Sequence, residues 1–296
     1  MYVLMGSNGN ITSKAVRALH QSGVPVRVIG RSAASLAPLH QLDAELAVGD
    51  ARDAGFLTQA FAGATAVYVM IPTDYGAPDL RRAQAELGRS IATAIAQSGV
   101  RRVVNLSSIG GELPAGTGPI VGLHEEEQRL DAIPNLELLH LRPGYFMENH
   151  LLAASTIASL GVYPSLERSD IGVPMVATPD IATIVVRELL DAKTCGVLHL
   201  HAPRHYTFQQ AATILGRAIG RPDLMYVQSD VAEARTAMLH AGFSPDAAEQ
   251  MAEMAQWLST GTHSTPPEPV EVMPTTLEDF APRFRAAYEA LERAEA

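Results

Sequence analysis

Short apolar runs rich in Val, Ile and Leu alternate with amphipathic stretches through the first half of the chain. Tyr2 to Met5, Val26 to Ile29, Ala44 to Val48, Ala66 to Ile71, Arg102 to Leu106 and Leu136 to Leu141 read as buried strands. Between them, Ser13 to Gln21, Ala33 to His40, Ala54 to Phe61, Leu80 to Gln97 and His124 to Leu130 carry helical spacing. That rhythm predicts an α/β fold: a Rossmann-like, doubly wound parallel sheet with helices on both faces. Past about Asn149 the pattern loosens. "GVYPSLERSDIGVPMVAT" mixes turn residues with strand-like pieces, a helix begins at Pro179 and Asp180, and "GVLHLHA" reads as a further strand. From Thr207 onward the chain reads as mainly helical, with "STPPEPVEVMP" as a surface loop. The expected division is a larger domain over residues 1–150 and a smaller, mostly helical lobe over 151–296, some of whose strands and helices return to the main sheet. A cleft would lie between them.

Composition narrows the class. The 296 residues carry a formal net charge of −10, with scattered arginines, which argues against nucleic-acid binding. No apolar run approaches the ~18 residues of a membrane span, and Met1 to Met5 reads as a strand, not as a signal peptide. One cysteine, Cys195, excludes an intramolecular disulfide, so a cytoplasmic protein, monomer or homodimer, is expected. The partner implied is a small molecule.

"VLMGSNGNITSKA" links the first strand to the first helix. Gly6, Gly9 and Thr12 fit a glycine-rich dinucleotide pattern except at its last position. Gly6 permits the tight turn and Gly9 a close approach of backbone to a diphosphate, which would rest on the helix N-terminus. The residues concerned are Gly6, Ser7, Asn8, Gly9, Asn10 and Ile11. After the second strand comes Arg31 with Ser32, where a carboxylate would select NAD; a guanidinium there favours the 2′-phosphate of NADPH over NADH as the alternative. A solvated surface arginine is the plain reading. Asp50 stands where it could meet the adenine edge or cap the helix that begins near Arg52.

With the glycine turn, Arg31, "VGDARD", "VMIP" and "LRPGYFMEN" in order, the chain resembles the NmrA-like group of atypical short-chain dehydrogenase/reductases. "VPMVATPDIATIVVREL" and "TFQQAATILGRAIGRP" extend the likeness over nearly the whole length. The resemblance implies an NAD(P)-binding Rossmann domain with a small C-terminal substrate lobe. It places Ala51, Met70, Ile71, Pro72, Pro143, Gly144 and Phe146 beside the dinucleotide. Members divide between reductases of quinones, aromatic dyes or conjugated carbonyls and proteins that only sense the dinucleotide.

The chemistry has to do without the usual Tyr-x-x-x-Lys pair, since the only lysines are Lys14 and Lys193. Ser107 or Ser108, in "NLSS", can hydrogen-bond substrate or cap a loop. "GLHEEEQRL" puts His124 one helical turn before Glu127, similar to the His and Glu of several NmrA-like reductases. His124 could donate to a substrate oxygen with Glu127 orienting it or binding a ribose, or the acid run could simply complement a helix dipole. Tyr145 and Phe146 offer a flat ligand a stacking face, with Tyr75 and Trp257 as further aromatics. His199, His201 and His205 lack a completing carboxylate or cysteine spacing, so no metal is expected. Quinone reduction needs little acid–base help, and the expected activity is NADPH-dependent reduction of a quinone or other conjugated aromatic carbonyl. The Ala-rich, Lys-poor composition is compatible with a high-GC bacterium, and the resemblance implies a place in aromatic natural-product (polyketide) biosynthesis, which some members serve. A dinucleotide-sensing regulator without turnover is the rival.

Overall fold

The computed structural model describes residues 1–191, 194–264 and 269–295; Lys193 and the first prolines of the expected surface loop lie outside them. Eight parallel strands form the central sheet. They are β1 (Tyr2–Leu4), β2 (Val26–Gly30), β3 (Glu45–Val48), β4 (Ala66–Met70), β5 (Arg102–Leu106) and β6 (Glu137–Pro143), joined by two strands from the second half. The short pieces β7 (Tyr145–Phe146), β8 (Val162–Ser165) and β9 (Met175–Val176) come next, followed by β10 (Gly196–His201), β11 (Met225–Gln228) and β12 (Val270–Val272). The sheet order is β12-β10-β6-β5-β4-β1-β2-β3, while β7 pairs with β9 and β8 with β11. The order reverses between β1 and β4, which is where a doubly wound sheet opens a crevice at its carboxyl edge.

Helices α1 (Thr12–Gln21), α2 (Ala33–His40), α3 (Ala54–Phe61), α4 (Leu80–Ser98) and α5 (Ile120–Asp131) connect the first strands. The second half supplies α6 (Ala154–Leu160), α7 (Thr178–Asp191), α8 (Phe208–Ala218), α9 (Val231–His240), α10 (Pro245–Leu258) and α11 (Leu277–Glu295). Strands such as Val103, Val104, Leu139 and Leu141 are fully buried, so both sheet faces are covered, by α1 and α7 on one side and α3, α4 and α5 on the other. A separate core beneath the second half gathers Ile157, Tyr163, Phe208, Leu215 and Phe284.

Two expectations change. The stretch expected to be a surface loop contains β12, whose Val270, Glu271 and Val272 pair with His199, Leu200 and His201. Three residues beside prolines carry no periodic signal; the exposed edge of β10 decides them. The fifth helix starts at Ile120, not His124, with Pro119 in helical geometry just before it. Its first turn holds no acid, so Glu125, Glu126 and Glu127 do not complement its dipole.

Candidate active site

The turn after β1 is shaped by main chain. Gly6 has φ +105° and Ser7 +50°, and the Gly9 amide donates to the Gly6 carbonyl at 3.0 Å. Thr12 stands where a third glycine was expected, and its hydroxyl donates to the Met5 carbonyl at 2.8 Å. A Cβ on Gly6 would lie 2.5 Å from the Thr12 hydroxyl oxygen, so glycine at one position and threonine at the other form one unit. Asn8, Gly9 and Asn10 are exposed, and no side chain caps the α1 N-terminus at Ile11. The Ser13, Lys14 and Ala15 amides meet the Gly9 and Ile11 carbonyls, so the positive end of the helix is left open to a phosphate.

Around this turn the sequence candidates take distinct places. Arg31 is exposed at the end of β2, and Ser32 caps α2 by accepting from the Ser35 amide at 3.2 Å. Asp50 accepts from Arg52 at 2.9 Å, and that bond, with the charges of Arg52 and Arg31, holds its carboxyl below the ordinary range. It does not cap α3; Asp53 does, accepting from the Gly55 and Phe56 amides. Ala51 is half-buried against the core. Lys14 donates to the Asn10 carbonyl and reaches the Thr178 hydroxyl at 3.5 Å, its ammonium pKa lowered first by burial and then by Arg283.

Beside the turn, a cleft of about 310 Å³ opens at the carboxyl ends of three adjacent strands. Met70, Ile71 and Pro72 follow β4; Ser107 and Ser108 follow β5; Gly144, Tyr145 and Phe146 follow β6. Pro143 is buried at the end of β6, one residue short of the lining, and its carbonyl accepts from Ile109. Gly144 must be glycine for a packing reason, because a Cβ there would stand 2.3 Å from the Pro174 carbonyl oxygen. Ser107 is 4% exposed, and its hydroxyl has no partner among the described residues. A buried orphan hydroxyl beside a cleft is suited to a ligand oxygen.

Apart from Trp257 and Tyr75, the far wall comes from residues the sequence did not single out. Met251, Met254, Trp257 and Leu258 of α10 close the cleft, joined by Glu167, Asn149 and Leu152. Their i, i+3, i+6 and i+7 spacing was a helical signal, but nothing local said which way that face would turn. Tyr75 also lines the cleft and stacks on Phe243 with ring centroids 4.5 Å apart. Tyr145 meets Phe208 edge-on at 5.4 Å, and burial, followed by the charge of Glu167, raises its phenol pKa well above the ordinary value.

The structure turns His124 and Glu127 to different partners. Glu127 is buried and grips Arg142 with two bonds, Nε–Oε1 at 2.9 Å and Nη2–Oε2 at 2.5 Å, while Glu112 takes the third guanidinium nitrogen at 3.0 Å. It is therefore not placed for a ribose or for orienting His124. His124 lies behind Leu123, outside the cleft lining, with Nδ1 donating to the Gly111 carbonyl at 2.9 Å. One further link was illegible: Glu148, in "FMEN", accepts from Thr178 and Arg283, and Arg283 reaches the Asn10 amide oxygen at 3.4 Å. It ties α11 to the glycine turn. Elsewhere His199 is buried in β10, and His201 and His205 meet edge-on at 5.3 Å. The described residues hold no group of three His, Cys, Asp or Glu able to bind a metal, and no helix among them is long and apolar enough to cross a membrane.

Comparison with known proteins agrees with this geometry. The chain is 26% identical to an NAD(P)H azoreductase of Xenophilus azovorans over 98% of its own length and 100% of that protein. It is 28% identical to (4-alkanoyl-5-oxo-2,5-dihydrofuran-3-yl)methyl phosphate reductase of Streptomyces griseus, covering 94% of this chain and 92% of the other. Among solved structures, the NADPH-dependent quinone oxidoreductase of Escherichia coli complexed with NADPH superposes with a TM-score of 0.77 at 20% identity, covering 96% of this chain and 99% of that one. Residues 2–281 match the NmrA-like family, and the chain belongs to it.

Proposed function

We propose that the protein is an NADPH-dependent reductase that delivers hydride to a quinone or another conjugated aromatic carbonyl. The observation that carries this reading is the apolar cleft at the carboxyl ends of β4, β5 and β6, adjoining the uncapped turn of α1. The reductases among its relatives support it.

Gly6 to Ile11 hold the diphosphate at the positive end of α1. Arg31 and the Ser32 hydroxyl hold the 2′-phosphate; Arg52 already neutralises Asp50, so no free carboxylate repels it there. When bound, NADPH supplies the hydride from C4 of its nicotinamide. Met70, Ile71, Pro72, Gly144 and Phe146 face the nicotinamide side of the cleft and keep water from it. Ser107 donates to the acceptor's carbonyl oxygen. Tyr145 remains protonated, since burial and the charge of Glu167 raise its pKa, and serves as a hydroxyl donor and ring wall, not as a base. His124 steadies the loop through the Gly111 carbonyl and acts on turnover only through that loop.

The test is a panel of quinones and polycyclic aromatic ketones mixed with protein and NADPH, followed by nicotinamide absorbance. Consumption with at least one acceptor is expected, and Ser107→Ala should lower kcat/KM about tenfold or more, the loss of one hydrogen bond to a developing charge. Tight NADPH binding without consumption for any acceptor would overturn the reductase reading and leave a dinucleotide sensor.

A further inference from the structure

The cleft contains one carboxyl among its described lining residues, Glu167, in the turn after β8. It is 7% exposed. The Ser165 hydroxyl donates to its Oε2, and the Tyr226 hydroxyl donates to its main-chain carbonyl. The groups facing it are Tyr145 of β7, Tyr163 of β8 and Tyr226 of β11. Arg168, the next residue, turns away to Asp170, with Nη2–Oδ2 at 2.7 Å. Phenols, a hydroxyl and amides thus surround the carboxyl, and no described cation forms an ion pair with it.

Such a carboxyl is expensive to hold charged. Burial pushes its pKa up, and the bonds from Ser165 and from the Glu167 and Leu166 amides only partly oppose this. The strand-end wall of the cleft has hydroxyl donors but no acid of ordinary strength. Reduction of a neutral quinone leaves a proton to be placed: the hydride brings two electrons and one hydrogen, and a second proton must reach oxygen, which water supplies slowly and an acid in the cleft supplies as the charge develops.

We propose that Glu167 is the proton donor for the acceptor, delivering its carboxylic proton to the oxygen that gains negative charge as hydride arrives. The inference rests on the reductase reading. NADPH is oxidised to NADP⁺ and the quinone is reduced to its hydroquinone. The Glu167 O–H bond breaks, the substrate O–H bond forms, and water returns a proton to the carboxylate before the next turnover.

Two acceptors separate proton delivery from hydride delivery. Menadione, a neutral quinone, needs both; malachite green, a triphenylmethane cation, takes hydride on carbon and needs no proton. Wild type should reduce both. Glu167→Gln should lose about 100-fold in kcat/KM with menadione, the usual worth of a general acid, while dye reduction and the Kd for NADPH stay within about twofold. Ser165→Ala, which removes a bond to the charged form, should move the alkaline limb of the menadione profile to higher pH. Infrared spectra of the cofactor-free protein at neutral pH should contain a carboxylic C=O band that Glu167→Gln removes; the buried Glu126 contributes a band that remains. Equal loss with both acceptors, no loss with either, or absence of the Glu167 band would overturn the proposal and leave the reductase standing. Failure of wild type with both acceptors would overturn the reductase reading and this inference together.

Discussion

Between β1 and α1 the protein shapes its surface with main chain: a glycine at φ +105°, a carbonyl turned to the Gly9 amide, a helix end left without a side-chain cap. Across the cleft the surface is made of side chains. Met251, Met254 and Trp257 arrive from α10, Glu167 from the turn after β8, and Tyr75 from the loop after β4. The first wall suits a ligand that never changes, because a diphosphate needs only amides at fixed positions. The second can change its substrate by changing residues without disturbing the fold.

That contrast can be broken most severely at Gly6. In Gly6→Ala, a Cβ held at positive φ meets the Thr12 hydroxyl, so NADPH affinity should fall roughly 100-fold by calorimetry, the consequence of up to about 3 kcal/mol of strain. An affinity within a few-fold of wild type would show that the turn yields.

Acid should expose the second half before the first. His150 is fully buried against Tyr163 and Phe208 of the second core, and burial lowers its pKa from 6.5 to about 3; His263 is lowered to about 4, and so is His199 in β10 of the central sheet. In that window the unfolded chain binds the protons that the folded chain refuses, so stability falls as pH drops through about 6.5. His150 alone should cost about 2 kcal/mol at pH 5 relative to pH 7, seen in urea unfolding as a larger loss in wild type than in His150→Gln. Glu126 in the first half runs the other way: burial raises its pKa from 4.5 to about 8, so its contribution is lost as pH rises through that range. Matching pH dependence in wild type and His150→Gln would remove His150 from this account.

Gly118 tests how the substrate wall is seated. Its φ is +57°, and a Cβ would stand 1.9 Å from the Gln250 carbonyl oxygen of α10. Gly118→Ala should push α10 outward and raise the KM for the acceptor about tenfold, with NADPH affinity nearly unchanged. Loss of both would mean that the two walls are coupled. The smallest effect is expected at Arg31, which is exposed and screened: Arg31→Ala should weaken NADPH about fivefold and NADH hardly at all. Equal losses would remove it from cofactor selection.

Local pattern made the nucleotide half readable. The bounds of β5, α2 and α3 follow directly from apolar spacing, since each is flanked by residues that end or begin such elements, as Ser32 and Asp53 do by capping. Met70 to Pro72, Tyr145 and Phe146 were legible through the family resemblance and Ser107 through its place after the fifth strand; a parallel sheet brings those strand ends together. Helical spacing says which residues share a face but not what that face meets, so it could not tell that Arg142, fifteen residues away on β6, holds the Glu127 carboxylate that shares a face with His124. Thr12 carried a hydroxyl whose use was invisible until the Met5 carbonyl stood 2.8 Å away.

By itself the sequence determined the parallel sheet, its order of alternating helices and the glycine turn, because these arise from spacing and backbone freedom within a few residues. Only tertiary structure decided that β12 would close the sheet edge, that α10 would wall the cleft and that Glu167 would stand in it. Those outcomes depend on surfaces made by residues tens to hundreds of positions apart, and their burial and charge exist only after the chain has folded.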